Sequence, residues 1–310
     1  MVDLSIIIVS WNCREYLEQC LRSIASSGIR HSYQVFVVDN GSSDGSISLV
    51  ELSYPNVKLI SNTENLGFAA ANNQALRLVD SRFVVLLNPD TVVGSGALDA
   101  MIDFFERYDD AWAVGPAMVS GDGSVHYTGV AFPSNWNILV ESVFLDRLFP
   151  KSRLLGAHKQ TYEPRQEPRA VDYVQGACLM VKSKAIEKVG LLDERFFMYF
   201  EEVDWCYRIK KAGGEVWYYP MASVVHLGGD EFGHFDERRL VYYYLSLLLF
   251  YRKHYQTYRL FLLRCLLIMR SLIRIIVWGT VSIVRPSDRS VARSSQMGYV
   301  RTLSVLLKRV

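Results

Sequence analysis

Arg82-Phe83-Val84-Val85-Leu86-Leu87-Asn88-Pro89-Asp90 reads as an apolar strand that stops at a carboxylate. Five consecutive large apolar residues without alternation belong to a strand buried on both faces, as in the parallel sheets of α/β proteins. Such sheets bind ligands outside the carboxyl ends of their strands, so an acid there is a candidate for function. Upstream, Val35-Phe36-Val37-Val38 ends in the same way, in Asp39-Asn40-Gly41-Ser42-Ser43-Asp44-Gly45. Two acidic strand ends in one sheet predict one cleft.

Working outward, strand-like runs at Leu4–Val9, Val35–Val38, Val57–Ile60 and Phe83–Leu87 alternate with helical patterns near Arg14–Ala25, Ser46–Leu52 and Ala69–Leu78. That alternation predicts a mainly parallel, Rossmann-like sheet covered by helices on both faces. A helix at about Gly96–Tyr108, a run at Ala111–Val114 and a hairpin at Gly121–Gly123 continue the pattern. Gly129–Arg169 has poor periodicity and reads as a long loop or partly helical insertion. Order resumes over Ala170–Val181, followed by a helix near Tyr199–Ala212, closed by Gly213-Gly214, and strands at Glu215–Tyr219 and Ser223–His226. The expected division is a body over 1–235 and a helical C-terminal region over 236–310.

The 310 residues are 50% hydrophobic, enough for a large core, and the formal charge is +2. That small number conceals an asymmetry. From Glu231 onward there are 14 Lys+Arg against 4 Asp+Glu, so the tail carries about +10 and the remainder about −8. Five scattered cysteines without a C-x-x-C spacing indicate neither a disulfide framework nor a zinc site and fit a reducing cytosol. The apolar run after Met1 is too short for a secretion signal and lacks a basic start, so it reads as the first strand.

The first βα turn, Val9-Ser10-Trp11-Asn12-Cys13-Arg14, contains no G-x-G-x-x-G, which argues against a dehydrogenase. It offers Ser10 and Asn12 beside an aromatic ring, suited to a base or ribose, although Asn12 equally suits a helix N-cap. Asn62-Thr63-Glu64-Asn65-Leu66-Gly67-Phe68 leads into a helix of small residues that lets a backbone or ligand come close. In Val174-Gln175-Gly176-Ala177, the glycine fits either an anion beside backbone amides or a strand bulge. Glu201, Glu202 and Asp204 complement a helix dipole, and Asp204 has the spacing to pair with Arg208. Phe197, Tyr199, Phe200 and Trp205 crowd these acids, where aromatics can raise a carboxyl pKa or stack on a sugar face. His226 after Val224-Val225 reads, on residues alone, as a satisfied core histidine.

Taken together, Val-Ser-Trp-Asn12, Asp39-Asn40-Gly-Ser-Ser-Asp44, Glu64-Asn65-Leu-Gly67-Phe68 and Leu87-Asn88-Pro89-Asp90 resemble family-two nucleotide-sugar glycosyltransferases of the GT-A fold, especially a rhamnosyltransferase-like branch. The resemblance covers about the first three quarters of the chain. It implies that Ser10, Asn12, Asp39 and Asn65 contact the nucleoside, with Asn40, Gly67, Asn88 and Gly176 completing the donor site. The family's D-x-D metal motif is matched by Asn88-Pro89-Asp90, which puts the metal role mainly on Asp90, with His226 at the second ligand position. One carboxylate suffices for Mg²⁺ or Mn²⁺ when phosphate oxygens and waters complete the octahedron. An imidazole ligand tilts the expectation toward Mn²⁺. The family's general base falls on Glu202, with Asp204 second. Glu202 and Asp204 point to nearly opposite sides of a helix, so both cannot serve one hydroxyl.

The implied activity is an inverting, single-displacement transfer of one sugar, with dTDP-rhamnose preferred as donor and UDP-sugars next. The processive synthases of the superfamily carry Q-x-x-R-W, whereas Gln166-Glu167-Pro168-Arg169 is followed by Ala170. A sugar-nucleotide pyrophosphorylase would need a glycine-rich basic loop where Val9–Arg14 stands. The alternative outside transferases is a catalytically silent carbohydrate-binding or assembly subunit, which Asn88 and Glu202 leave open.

The apolar runs Leu240–Tyr251 and Ile275–Val284 are each shorter than the ~20 residues needed to cross a bilayer. Arg259, Arg270 and Arg274 fall near one helical face, which predicts an amphipathic basic helix lying on an anionic membrane surface. A peripheral protein on the inner face of the cell membrane, acting on a polyprenyl-diphosphate-linked saccharide in polysaccharide synthesis, is the expectation. A helical hairpin packed on the body or a second subunit is the other use of this tail. No nucleic-acid-binding motif is present.

Overall fold

A computed structural model of the chain describes residues 1–156, 158, 166–228, 237–285, 287 and 289–308. In chain order the elements are β1 (Val2–Ser10), α1 (Arg14–Ser26), β2 (Tyr33–Asp39), α2 (Ser46–Ser53), β3 (Lys58–Ser61), α3 (Phe68–Leu76), β4 (Ser81–Leu87), β5 (Thr91–Val93) and α4 (Ala97–Arg107). They continue with β6 (Ala111–Ser120), β7 (Val125–His126), β8 (Gly129–Val130), α5 (Asn135–Ser142), α6 (Leu145–Leu148), β9 (Arg169–Val171), β10 (Tyr173–Val174), β11 (Cys178–Lys182) and α7 (Ser183–Val189). Last come α8 (Glu201–Lys211), β12 (Glu215–His226), α9 (Glu237–His254), α10 (Thr257–Val284) and α11 (Arg289–Leu307). The described parts of residues 1–131, 164–197 and 201–231 form one compact unit, and those of 132–163, 198–200 and 232–310 form a second.

In the first unit the main sheet runs β3-β2-β1-β4-β11-β6-β12-β5. The four strands β3, β2, β1 and β4 are mutually parallel, as the βα alternation requires. Beyond them the sheet is mixed, because β11 lies antiparallel to both β4 and β6. The register brings the functional edge into line: Ser10 stands opposite Asp39, and Ile8 opposite Leu87. Since β11 runs the other way, its start, Cys178, lies opposite Leu87, and Gly176-Ala177 arrive at the same edge. At β12 the end residue His226 pairs with Thr91 of β5.

Burial explains why these runs are strands. In β1, Leu4 and Ile6–Ile8 are inaccessible to solvent, and in β4 every residue but Arg82 is buried. Alternate β1 and β4 residues pack with Leu17, Cys20 and Leu21 of α1 and Met101, Ile102 and Phe105 of α4 in one apolar cluster. The strands expected at Glu215–Tyr219 and Ser223–His226 are one strand, β12, with an irregular register between Tyr219 and Ser223. The helix expected from Tyr199 starts at Glu201, because Tyr199 (φ 67°) and Phe200 (φ 69°) occupy the left-handed region. The short β5 and the helix α7 carry no periodic signal long enough to be read from sequence.

The second unit joins α5 and α6 to the C-terminal helices, with α10 and α11 antiparallel neighbours and α9 packed on both. Its basic residues differ from the expected arrangement. Arg270 turns inward to Glu141 Oε2 (3.2 Å), and Arg274 donates to the Glu141 carbonyl (3.3 Å) with its guanidinium 3.8 Å from the centroid of the Phe144 ring. Only Arg259 of the three faces solvent. The outer face of α10 instead carries exposed apolar side chains such as Phe261, Leu272, Ile276 and Ile283, while the Glu141 carboxylate supplies the counter-charge that the inward guanidinium of Arg270 needs. Among the described residues no helix is long and apolar enough to cross a membrane. Glu141→Ala leaves Arg270 buried without its counter-charge and is expected to destabilise the protein by about 3–5 kcal/mol. Urea unfolding followed by circular dichroism checks this, and an unchanged midpoint would refute it.

Candidate active site

The carboxyl edge of the sheet collects polar side chains from six segments. Asp39 ends β2 fully buried; its Oδ1 accepts from the Ser42 amide (2.8 Å), while its Oδ2 is buried with no hydrogen-bond partner. A buried carboxylate oxygen left in that state is poised to accept from an incoming N–H or O–H. Ser10, also fully buried, lies beside it at the end of β1, with its hydroxyl 3.3 Å from Cys13 Sγ.

Asn12 is not the N-cap of α1. It sits at φ 48°, and its Oδ1 accepts from the Ser43 amide (2.8 Å), tying the first turn to the loop after β2. The cap comes from elsewhere: Asp44 Oδ2 accepts from the Arg14 amide (2.8 Å) and its Oδ1 from Ser46. Burial works against the Asp44 charge, but Ser46 and these amides outweigh it and hold the carboxyl below its ordinary value.

Asn40 is buried, and its side chain organises the next loop. Its Nδ2 donates to Asn65 Oδ1 (3.1 Å) and the Gly67 carbonyl (3.2 Å), and its Oδ1 accepts from Asn62 and the Leu66 amide. Gly67 adopts φ 88°, and a Cβ there would come within 2.7 Å of the Phe197 ring and carbonyl, so only glycine fits. The loop is thereby docked on the segment before α8, where the Phe68 amide donates to the Phe197 carbonyl (2.8 Å).

Asn88 is held by its backbone, with its amide donating to the Ala177 carbonyl (2.9 Å) and its carbonyl accepting from the Thr91 hydroxyl (2.7 Å). Two residues on, Asp90 Oδ2 lies 3.2 Å from His226 Nε2, and Asp90 Oδ1 is buried without a hydrogen-bond partner. The β5–β12 pairing produces this contact, and the Leu227 amide closes it by donating to the Asp90 carbonyl (2.8 Å). A Cβ at Gly228 would collide with the Asp90 carboxylate, so glycine leaves that carboxylate its space. Among the described residues no third acid, histidine or cysteine joins the pair. An imidazole and a carboxylate with one unsatisfied oxygen suit an octahedral Mn²⁺ or Mg²⁺ whose remaining positions belong to phosphate and water.

The two candidate bases separate. Asp204 is fully buried and bound to Arg208 Nε (2.8 Å), whose Nη groups donate to the carbonyls of Val189 and Leu191. It anchors α8 to the segment after α7. Glu202 lies half-buried beside Gly176, where a Cβ would come within 3.3 Å of the Glu202 side chain. Of the aromatics expected around these acids, Trp205 is buried with its indole N–H on the Gly190 carbonyl (2.9 Å), and Phe197 packs on Gly67. Both serve packing.

A model of the family described as glycosyl transferase family 2 matches residues 5–190. The chain belongs to this family. Its similar proteins include an N-acetylglucosaminyl-diphospho-decaprenol L-rhamnosyltransferase of Mycobacterium tuberculosis, 33% identical over 235 residues, which cover 72% of this chain and 75% of that protein. Rhamnosyltransferase WbbL of Escherichia coli K12 is 26% identical over 246 residues, covering 75% of this chain and 84% of that one. Among solved structures, the mannosyltransferase PcManGT from Pyrobaculum calidifontis in complex with GDP-Man and Mn²⁺ superposes with a TM-score of 0.60 at 14% identity, over 99% of this chain and 88% of the other. GalNAc-T7 with UDP, GalNAc and Mn²⁺ gives a TM-score of 0.56 at 15% identity, over 80% and 48%. This family 2 glycosyltransferase is rhamnosyltransferase-like in sequence and has the GT-A fold with a C-terminal helical extension.

Sequence reasoning did not single out Glu201, which the transferase buries on the inner side of α8. Burial first, and then the adjacent Glu202 carboxylate, push its acid well above the ordinary glutamate value of 4.5. A run of three acids carries no mark of which one turns inward. Because the folded form holds this proton more tightly than the unfolded chain, the folded protein loses stability as pH rises above about 4.5 toward the raised value. Glu201→Gln is therefore expected to raise the melting temperature at pH 7 and to lose that advantage below pH 4.5. Thermal scans across pH test this, and a variant that is less stable at pH 7 would refute it.

Proposed function

We propose that this glycosyltransferase moves one sugar, L-rhamnose from dTDP-rhamnose, to a saccharide acceptor carried on a polyprenyl diphosphate, with inversion and with Mn²⁺ or Mg²⁺ as cofactor. The observation that carries the reading is the Asp90–His226 pair with an unsatisfied buried carboxylate oxygen, on the same sheet edge as Asp39 and as Gly176, beside which Glu202 lies. The choice of sugar and acceptor is supported by the relatives: two are named as rhamnosyltransferases, and the Mycobacterium tuberculosis protein is named for an N-acetylglucosaminyl-diphospho-decaprenol acceptor. The structural neighbours named with nucleotides or nucleotide sugars and Mn²⁺ support the cofactor.

Asp39 Oδ2 accepts the ring N–H of the pyrimidine, with Ser10, Asn12 and Asn65 lining the nucleoside and Gly176 letting backbone approach the diphosphate. Asn40 and Gly67 hold that loop, and Asn88 leads the chain into the metal position. Asp90 and His226 would hold the divalent ion, which would supply neutralisation of the negative charge on the departing nucleoside diphosphate. Glu202 takes the proton of the acceptor hydroxyl as its oxygen bonds to the anomeric carbon, and the bond to the diphosphate breaks with its electron pair leaving on the phosphate oxygen. Asp204, held by Arg208, positions α8. Glu202→Gln is expected to lower transfer by on the order of 10²-fold or more while leaving dTDP binding intact. Asp90→Asn should abolish the Mn²⁺-dependent gain in dTDP affinity seen by calorimetry. Full transfer by Glu202→Gln, or a metal gain that survives in Asp90→Asn, would reject these roles.

Membrane attachment is assigned to the outer face of α10. At 100° per residue, Tyr258, Phe261, Cys265, Leu272, Ile276 and Ile283 fall within about 60° of one another, opposite Arg270 and Arg274. These side chains are exposed, Ile283 by 76% and Phe261 and Ile276 by 69%. The stripe is about 38 Å long, and the surrounding tail is strongly basic, which complements an anionic lipid surface on the inner face of the cell membrane. Phe261→Asp with Ile276→Asp is expected to prevent co-sedimentation with phosphatidylglycerol vesicles. Undiminished sedimentation of that double variant would exclude the stripe as the contact.

A further inference from the structure

The second unit contains an aromatic pocket that the transfer reaction above does not use. It has a volume of about 370 Å³, within the roughly 300–1,000 Å³ of small-molecule sites. Tyr251 of α9 contributes to its lining, fully buried, with a hydroxyl that has no hydrogen-bond partner. Burial pushes that phenol further up, so it stays protonated and keeps a proton to donate. Trp136, Tyr255 and Tyr258 add three more rings, and Ser134, Asn135 and Arg259 supply polar groups.

These side chains are fixed in place. The Trp136 indole N–H donates to the Leu154 carbonyl (3.0 Å), the Tyr255 hydroxyl to the Pro133 carbonyl (3.2 Å), and the Asn135 amide to the Arg259 carbonyl (3.0 Å). Arg259 Nε donates to the Tyr258 hydroxyl (3.1 Å), and Tyr255 meets Tyr251 edge-on with centroids 4.6 Å apart. Trp136 and Tyr258 nevertheless leave 44% and 60% of their surface open. Large exposed rings held rigid beside an unsatisfied buried hydroxyl are ready for a ligand that has both an apolar face and hydrogen-bonding groups.

A pyranose has that character: its ring C–H bonds form an apolar face, and hydroxyls surround it. A purely aliphatic ligand would leave the Tyr251 hydroxyl unpaired, and a polyphosphate would meet a single guanidinium among four aromatic rings. We infer that this pocket binds a saccharide, the glycan portion of the acceptor, with a sugar face on Trp136 and Tyr258 and a sugar hydroxyl on Tyr251. The assignment rests on the reading of the acceptor as a lipid-linked saccharide. Tyr258 of the pocket wall also begins the apolar stripe on the outer face of α10, so glycan and lipid sites adjoin on one helix.

Saturation-transfer NMR on the full chain, with methyl β-N-acetylglucosaminide and methyl α-L-rhamnoside as probes, tests the site. The expected result is transfer to ring C–H protons of at least one probe, lost in Tyr258→Ala and in Trp136→Ala. Tyr251→Phe, which keeps the ring, should weaken binding about five- to tenfold, and all three variants should bind dTDP as the unaltered protein does. Absence of transfer to both probes, or binding unchanged in Tyr258→Ala, would overturn the assignment, as would binding of unrelated tyrosine-containing peptides in preference to sugars. Failure here with rhamnosyl transfer intact removes only the pocket. Pocket-dependent sugar binding without transfer from any donor upholds the pocket and removes the transfer reading.

Discussion

The contact between Asp90 and His226, 3.2 Å apart, depends on two chain segments separated by more than a hundred residues meeting at one register. The β5–β12 pairing provides that register, and β5 is only three residues long. Its stability comes from its surroundings: Thr91 and Val93 are buried, and the Val93 amide donates to Ser23 of α1 (3.0 Å). A carboxylate with one satisfied oxygen and one buried, unsatisfied oxygen is costly unless something completes it. The same state recurs at Asp39, on the same edge of the same sheet. Two such carboxylates define the cleft more sharply than any cavity does.

Around them, the polar loop residues divide between holding the edge and serving it. Asn40, Asp44 and Gly67 are occupied with the backbone of neighbouring loops: Asn40 spans to residues 62–67, Asp44 caps α1 from outside it, and Gly67 admits Phe197. Loops fixed by side-chain to backbone hydrogen bonds keep their shape without help from a ligand. On α8 the division is set by angle. Glu202 faces Gly176, Glu201 and Asp204 turn inward, and Asp204 finds Arg208 there. Burying a carboxylate without a cation raises its pKa, and that is the condition of Glu201.

In the second unit, arginine and apolar side chains exchange the faces that the sequence suggested. Glu141 draws Arg270 inward, Arg274 follows over Phe144, and the outer surface of α10 is left apolar. Helical periodicity shows which residues share a face; it does not show which face points out. That choice belongs to a carboxylate on α5, more than a hundred residues away in sequence.

Much of the fold was legible in local pattern. Unbroken apolar runs at Val35–Val38 and Phe83–Leu87, each followed by a polar turn, determined buried parallel strands, and the position of Asp39 and Asp90 at their ends followed from the same runs. The motif order also identified the family, because its residues lie close together in sequence. What only the tertiary structure decided are the long-range choices: the antiparallel entry of β11, the meeting of His226 with Asp90, the burial of Asp204 and Glu201 in place of Glu202, and the joining of 132–163 to the C-terminal helices. Each depends on which surfaces are available when distant segments pack. A strand's direction, a helix's rotation and a carboxylate's partner are properties of those contacts, and no single stretch of the chain contains them.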